Sequence, residues 1–128
     1  MQSNIANKGK ISLDWGNIFD ILSIFNVKIN VCEGEDKIKN IRNFQSLEKE
    51  IQQQVPIGLF VDIMGSQEYK DLYESNLYTF NKVGEAQKST GLAKEVDEGN
   101  KMRFINKSKL QKRFFNTEVS EVKIGYGN

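Results

Sequence analysis

Histidine is absent from the 128 residues. That removes His-based triads, imidazole general bases and imidazole metal ligands from consideration. One cysteine, Cys32, cannot form an intramolecular disulfide or a thiolate cage, and with no histidine beside it at a helix end it reads as a packed or surface thiol. Charge excess is also missing: 18 Lys+Arg against 17 Asp+Glu leave a net charge of +1. The usual electrostatic argument for a nucleic-acid or anionic-membrane partner falls with it. The apolar stretch Ile18 to Val31 is too short to span a bilayer and contains Asp20 and Lys28. Met1 to Lys10 has polar residues where a signal peptide carries its apolar run, so residues 1–10 are expected to be a disordered tail on a cytoplasmic protein. Glu95, Asp97 and Glu98 resemble half of a carboxylate metal site, but no second acidic pair at helical spacing completes it. No metal or cofactor is expected.

What is present is helical periodicity. At 128 residues the chain is one domain, long enough to bury a core without disulfides or metals. Between Asp14 and Val31, Trp15, Ile18, Leu22, Phe25 and Ile29 form one seam, and Ile21, Ile24, Val27 and Val31 fill its flanks. Asp20, Ser23, Asn26 and Asn30 leave only a narrow polar strip. A helix apolar over most of its circumference needs cover from several sides, which makes this the central post of the fold. Asp14 is its N-cap candidate and Glu33-Gly34 its closing turn. A second helix opens at Glu35 and Asp36, carries one stripe through Ile38, Ile41, Phe44, Leu47, Ile51 and Val55, and is stopped by the only proline, Pro56. Ile57 to Met64 reads as a short helix or turn. Ser66 can cap a third main helix bearing Tyr69, Leu72, Tyr73, Phe80 and Val83. Ser89-Thr90-Gly91 separates it from a fourth, Leu92 to Phe115, with Asn116 as a left-handed C-cap. Ile11 to Leu13 and Val122 to Tyr126 alternate like short extended arms. The expectation is all-α: four main helices in two antiparallel hairpins, with short extended arms at both termini.

Polar residues interrupt two of the seams. Asn76 stands in the middle of the third helix's apolar stripe. The fourth helix has coiled-coil spacing at positions 92, 96, 99, 103, 106 and 110, but these are Leu, Val, Gly, Arg, Asn and Leu. With the turn centred between Ser89 and Thr90, Asn76 and Arg103 are equidistant from it, about 20 Å along their helices at ~1.5 Å per residue. Asp20 holds the matching place relative to the Glu33-Gly34 turn. Hairpins stacked with their turns at one end therefore put Asp20, Asn76, Asn100 and Arg103 in one layer, with Asp20 as counter-ion of the guanidinium. Two readings compete. The layer is either a structural network that fixes register or oligomeric state, or a pocket in which Arg103 holds a carboxylate or phosphate. The basic run from Lys101 to Arg113 spreads around most of its helix, which favours a solvated face over a nucleic-acid surface.

The segment Gly16-Asn17-Ile18-Phe19-Asp20-Ile21-Leu22-Ser23-Ile24-Phe25-Asn26-Val27-Lys28-Ile29 resembles the opening signature of a bacterial and phage family of small helical proteins of unknown function. In that signature a Gly-Glu pair leads to an apolar residue, Asp-Lys, an apolar residue, Ser/Thr-Ile-Leu and an Ile/Val-Lys pair. The similarity continues through Lys37 to Arg42, Asn76, Phe80 (where the family favours Trp), Asn100, Arg103, Asn106 and Glu118 to Tyr126. It implies an all-helical fold of paired hairpins and no established activity; the company of surface-polysaccharide genes points to a sugar-related role. Asn17 stands where the family has Glu, Ile21 where it has Lys, and Val83-Gly84 where it has acid, so if those charged groups form a working site in relatives, the resemblance implies that it is degraded here. Asp20, Lys28, Asn76, Asn100 and Arg103 are retained and form the candidate ligand-binding set. The leading expectation is a non-enzymatic module that self-associates as a homodimer. It is motivated by the aromatic residues along the seams, Trp15, Phe19, Tyr69, Tyr73, Tyr78, Phe114 and Phe115. The alternatives are a binding protein or enzyme for a sugar phosphate or nucleotide sugar, and a phage or other assembly component.

Overall fold

A computed structural model of the chain describes residues 14–86 and 93–116. These residues form five helices and no strand: α1 Trp15–Val31, α2 Gly34–Gln54, α3 Ile57–Met64, α4 Gln67–Ala86 and α5 Ala93–Phe115. The short apolar segment after Pro56 is thus a helix in its own right. The expected tail, both extended arms and the turn at Ser89-Thr90-Gly91 lie outside the described residues.

Local chemistry sets the helix ends. Asp14 stands at the N-cap of α1, but its carboxylate makes no capping bond; its carbonyl receives the amides of Asn17 and Ile18 at 2.9 and 3.2 Å. The Gly16 amide is met from α5 instead, donating to Gln111 Oε1 at 2.5 Å. A capping bond normally made by a neighbour in sequence is here a tertiary contact. Gly34 opens α2 at φ +68°, a left-handed backbone that a side chain would strain. Val55 is extended (φ −115°, ψ 130°), as the residue before a proline must be, and α2 stops one residue earlier. Ser66 Oγ accepts the Tyr69 amide at 3.1 Å and so caps α4. Asn116 closes α5 at φ 56°, its amide bonded to the Lys112 carbonyl at 3.1 Å.

Helix α1 packs against α2, α4 and α5, which makes it the post around which the others gather. Its first turns face α5, through Gly16 to Gln111 and Asp20 to Arg103, while its second half faces α4, through Asn26 to Tyr69 and Asn30 to Tyr73. It therefore crosses from one helix of the α4–α5 pair to the other, and Asp20 sits where it passes between them. Along their own seam α4 and α5 run antiparallel: Glu68 meets Arg113, Ser75 meets Asn106, and Thr79 lies against Gly99.

The core combines Ile18, Phe19 and Leu22 with Ile51, Val55, Phe60, Ile63, Tyr69, Leu72 and Leu110. Burying one such side chain contributes about 1.5–3 kcal/mol. Trp15 stacks on Phe115 at 5.7 Å between centroids, and Phe19 lies 6.2 Å from Phe60 and 6.4 Å from Phe115. Much of the aromatic content that motivated self-association is thus consumed inside the chain. The apolar stripe of α2 is covered only toward its far end. Ile51 and Val55 are buried, but Ile38 is exposed: among the described helices α2 packs on α1 and α3, and α3 follows directly on the far end of α2.

Candidate functional site

The polar breaks do converge. Asp20 projects from α1 between α4 and α5, its side chain only 6% exposed. Its Oδ1 accepts from Asn76 Nδ2 at 2.8 Å and its Oδ2 from Arg103 Nη2 at 2.9 Å. Arg103 Nη1 in turn donates to Asn100 Oδ1 at 3.0 Å, one turn back on α5. Four of the five residues singled out in the sequence are therefore joined by hydrogen bonds. Lys28 is not among them: it lies eight residues beyond Asp20, about 12 Å along the axis of α1.

Two members escaped the sequence reading. Ser23, one turn after Asp20, accepts a second hydrogen from Asn76 Nδ2 at 2.5 Å. Lys107, one turn after Arg103, brings Nζ to 3.9 Å from Asp20 Oδ2 with its side chain 13% exposed. It belonged to a basic run read as solvated. The signal was its i, i+4 relation to Arg103, which places the two cations on one face. The rest of that run does spread around α5: Lys101 and Lys109 are exposed and Arg113 pairs with Glu68.

The carboxylate of Asp20 accepts two hydrogen bonds and has a third, longer ion pair, which makes it the anchor of the layer. Asn106, the other polar break of α5, bonds the Asp71 carbonyl and Ser75 Oγ of α4 at 3.2 and 3.3 Å, so it ties that pair together outside the layer. Next to this network, Asn17 is 5% exposed and neither of its amide atoms has a hydrogen-bond partner; the same holds for Arg103 Nε and Ser108 Oγ. Among the described residues a surface groove of 480 Å³ shares a residue with the layer: it is lined by Asp97, Asn100, Lys101, Phe104 and Ile105.

A second polar seam joins α1 to α4. Asn26 Nδ2 donates to the Tyr69 hydroxyl at 3.1 Å and Asn30 Nδ2 to that of Tyr73 at 2.8 Å, two i, i+4 pairs in step. Burial pushes the Tyr69 phenol up to about 12, against the opposing pull of the Asn26 hydrogen bond. The folded protein thus favours the neutral phenol. Its contribution is full below the ordinary value near 10 and is lost as pH rises through 12. Unfolding in urea across pH 9 to 12 is expected to show stability declining over that window, and Tyr69→Phe to decline less steeply.

Among the described residues no group of three Cys, Asp or Glu side chains is placed to hold a metal ion, and no helix is long and apolar enough to cross a membrane. Comparison of the chain with protein-family models, curated proteins and solved structures gives no match.

Proposed function

We propose that this chain is a non-enzymatic, cytoplasmic helical interaction module that pairs with a second copy of itself. In this reading α1–α2 and α4–α5 act as two antiparallel hairpins locked by the Asp20 layer. The observation that carries it is the fate of α4's apolar stripe. Tyr69 and Leu72 are buried under α1, but Phe80 and Val83, which continue the same face, are each 39% exposed. A stripe that outruns its cover within the described residues calls for an apolar partner. A second copy fits, since a two-fold axis lays such a stripe against itself and the near balance of 18 basic and 17 acidic residues imposes little self-repulsion. The inward engagement of Asp20, Asn76 and Arg103 supports a structural role for the layer.

Sedimentation at micromolar concentration tests the proposal. The wild-type chain is expected to run as a dimer, and Phe80→Ser with Val83→Ser as a monomer of unchanged helicity. A monomeric wild type sinks the reading.

A further inference from the structure

We infer that the groove on α5 beside the polar layer is a binding site for a small organic anion, one bearing a carboxylate or phosphate on an apolar body. This goes beyond self-association and does not depend on it. The argument begins with charge. Asp20 contributes one negative charge to the layer, and Arg103 and Lys107 contribute two positive ones. Both cations are largely withdrawn from solvent, at 25% and 13% side-chain exposure. Lys107 has only a long 3.9 Å approach to the shared carboxylate, so one positive charge is left without a close counter-ion.

Buried hydrogen-bonding groups are also unpaired beside the layer, Asn17 Oδ1 among the acceptors. Arg103 Nε and the Asn17 amide nitrogen are buried without acceptors. Asn17 precedes Asp20 by three residues, hence one turn away on the same side of α1. The antiparallel contacts of Gly16 with Gln111 and of Asp20 with Arg103 put Asn17 between those two levels of α5, nearer the Gln111 end. A buried amide without partners is costly, and an acceptor bound at this point relieves it.

The groove supplies the way in. Its volume is 480 Å³ and its lining includes Asn100, whose Oδ1 holds Arg103 Nη1, and Phe104, whose ring centre lies 5.9 Å from Lys107 Nζ. Each cation is thus one side chain from the groove, Lys101 stands on its wall, and Phe104 and Ile105 offer an apolar surface. Asp97 is the one acidic group in the lining and disfavours an anion placed at that end. A ligand with its anionic oxygens toward Arg103 and Lys107 and its apolar body against Phe104 fits this distribution.

The test is an NMR titration of the full chain with phenyl phosphate and with benzoate at fixed ionic strength, reading Arg103 Nε–H and Asn17 Nδ2–H. Inorganic phosphate serves as the probe without an apolar body. The expected result is saturable shifts of both signals at millimolar phenyl phosphate or benzoate, weaker by about tenfold with inorganic phosphate. Lys107→Met is expected to weaken binding about tenfold while Asp20 keeps Arg103 and Asn76. Asn17→Asp places a carboxylate where the acceptor is missing, and is expected to raise the thermal midpoint in ligand-free buffer and abolish the phenyl phosphate response. No saturable shift, or shifts unchanged in Lys107→Met, overturns the inference, as does an equal response to added chloride.

Discussion

Asp20→Ala is expected to lower stability by about 3–5 kcal/mol, the loss that follows when one partner of a buried ion pair is removed. The size follows from what the carboxylate holds. Without it Arg103 Nη2 and one hydrogen of Asn76 lose their acceptor, and Lys107 loses the carboxylate 3.9 Å from its Nζ, at a position where the Asp20 side chain is only 6% exposed. Arg103→Ala should cost less, although it breaks the same pair, because Asp20 keeps Asn76 and Lys107 and because the arginine side chain is a quarter exposed. Asp20→Asn retains one oxygen and the shape, and should fall between them. Urea unfolding of the three variants and of the Asp20→Ala/Arg103→Ala pair measures the order directly. The opposite order, with Asp20→Ala below 1 kcal/mol, refutes Asp20 as the hub of the layer.

The same layer shows how far the sequence could be read. Equal spacing from two turns is enough to bring Asp20, Asn76 and Arg103 to one level, since rise per residue is nearly fixed in every helix. Lys28 joined the candidate set through the family resemblance and not through spacing, and α1 leaves the layer before reaching it. Lys107 was hidden by its neighbours: in a run of six cations a lysine turned inward looks like the exposed ones until the partner helix is known. Helix ends were legible wherever one residue decides them, as at Pro56, Ser66 and Asn116. The start of α1 at Asp14 was legible too, but its capping chemistry was not, because the Gly16 amide is met by Gln111, 95 residues away. Exposure of Ile38, Phe80 and Val83 was likewise invisible, since periodicity marks a face as apolar without saying how much of it a neighbour covers.

Gly99→Ala is expected to destabilise the protein by about 1–3 kcal/mol, although alanine is the better helix former by ~1 kcal/mol. The reason is the closeness of α4. A Cβ on Gly99 collides with Thr79 Oγ1 and falls 3.1 Å from Thr79 Cβ and 3.2 Å from Tyr78 Cδ2. The threonine cannot swing aside cheaply, because its hydroxyl donates to the Ser75 carbonyl at 2.8 Å and it is buried. The two helices must therefore part, and Arg103, one turn along α5, moves with them away from Asp20. Two comparisons separate packing from propensity. Gly84→Ala, where a Cβ meets nothing within 4 Å, should stabilise by about 0.5–1 kcal/mol through propensity alone. Thr79→Ala in the Gly99→Ala background removes the collision with the hydroxyl and should recover part of the loss, leaving the milder approach to the Cβ at position 79. If Gly99→Ala instead gains stability as Gly84→Ala does, the helices do not approach as closely as this geometry requires. A glycine at a coiled-coil position in the middle of α5 then has no packing role.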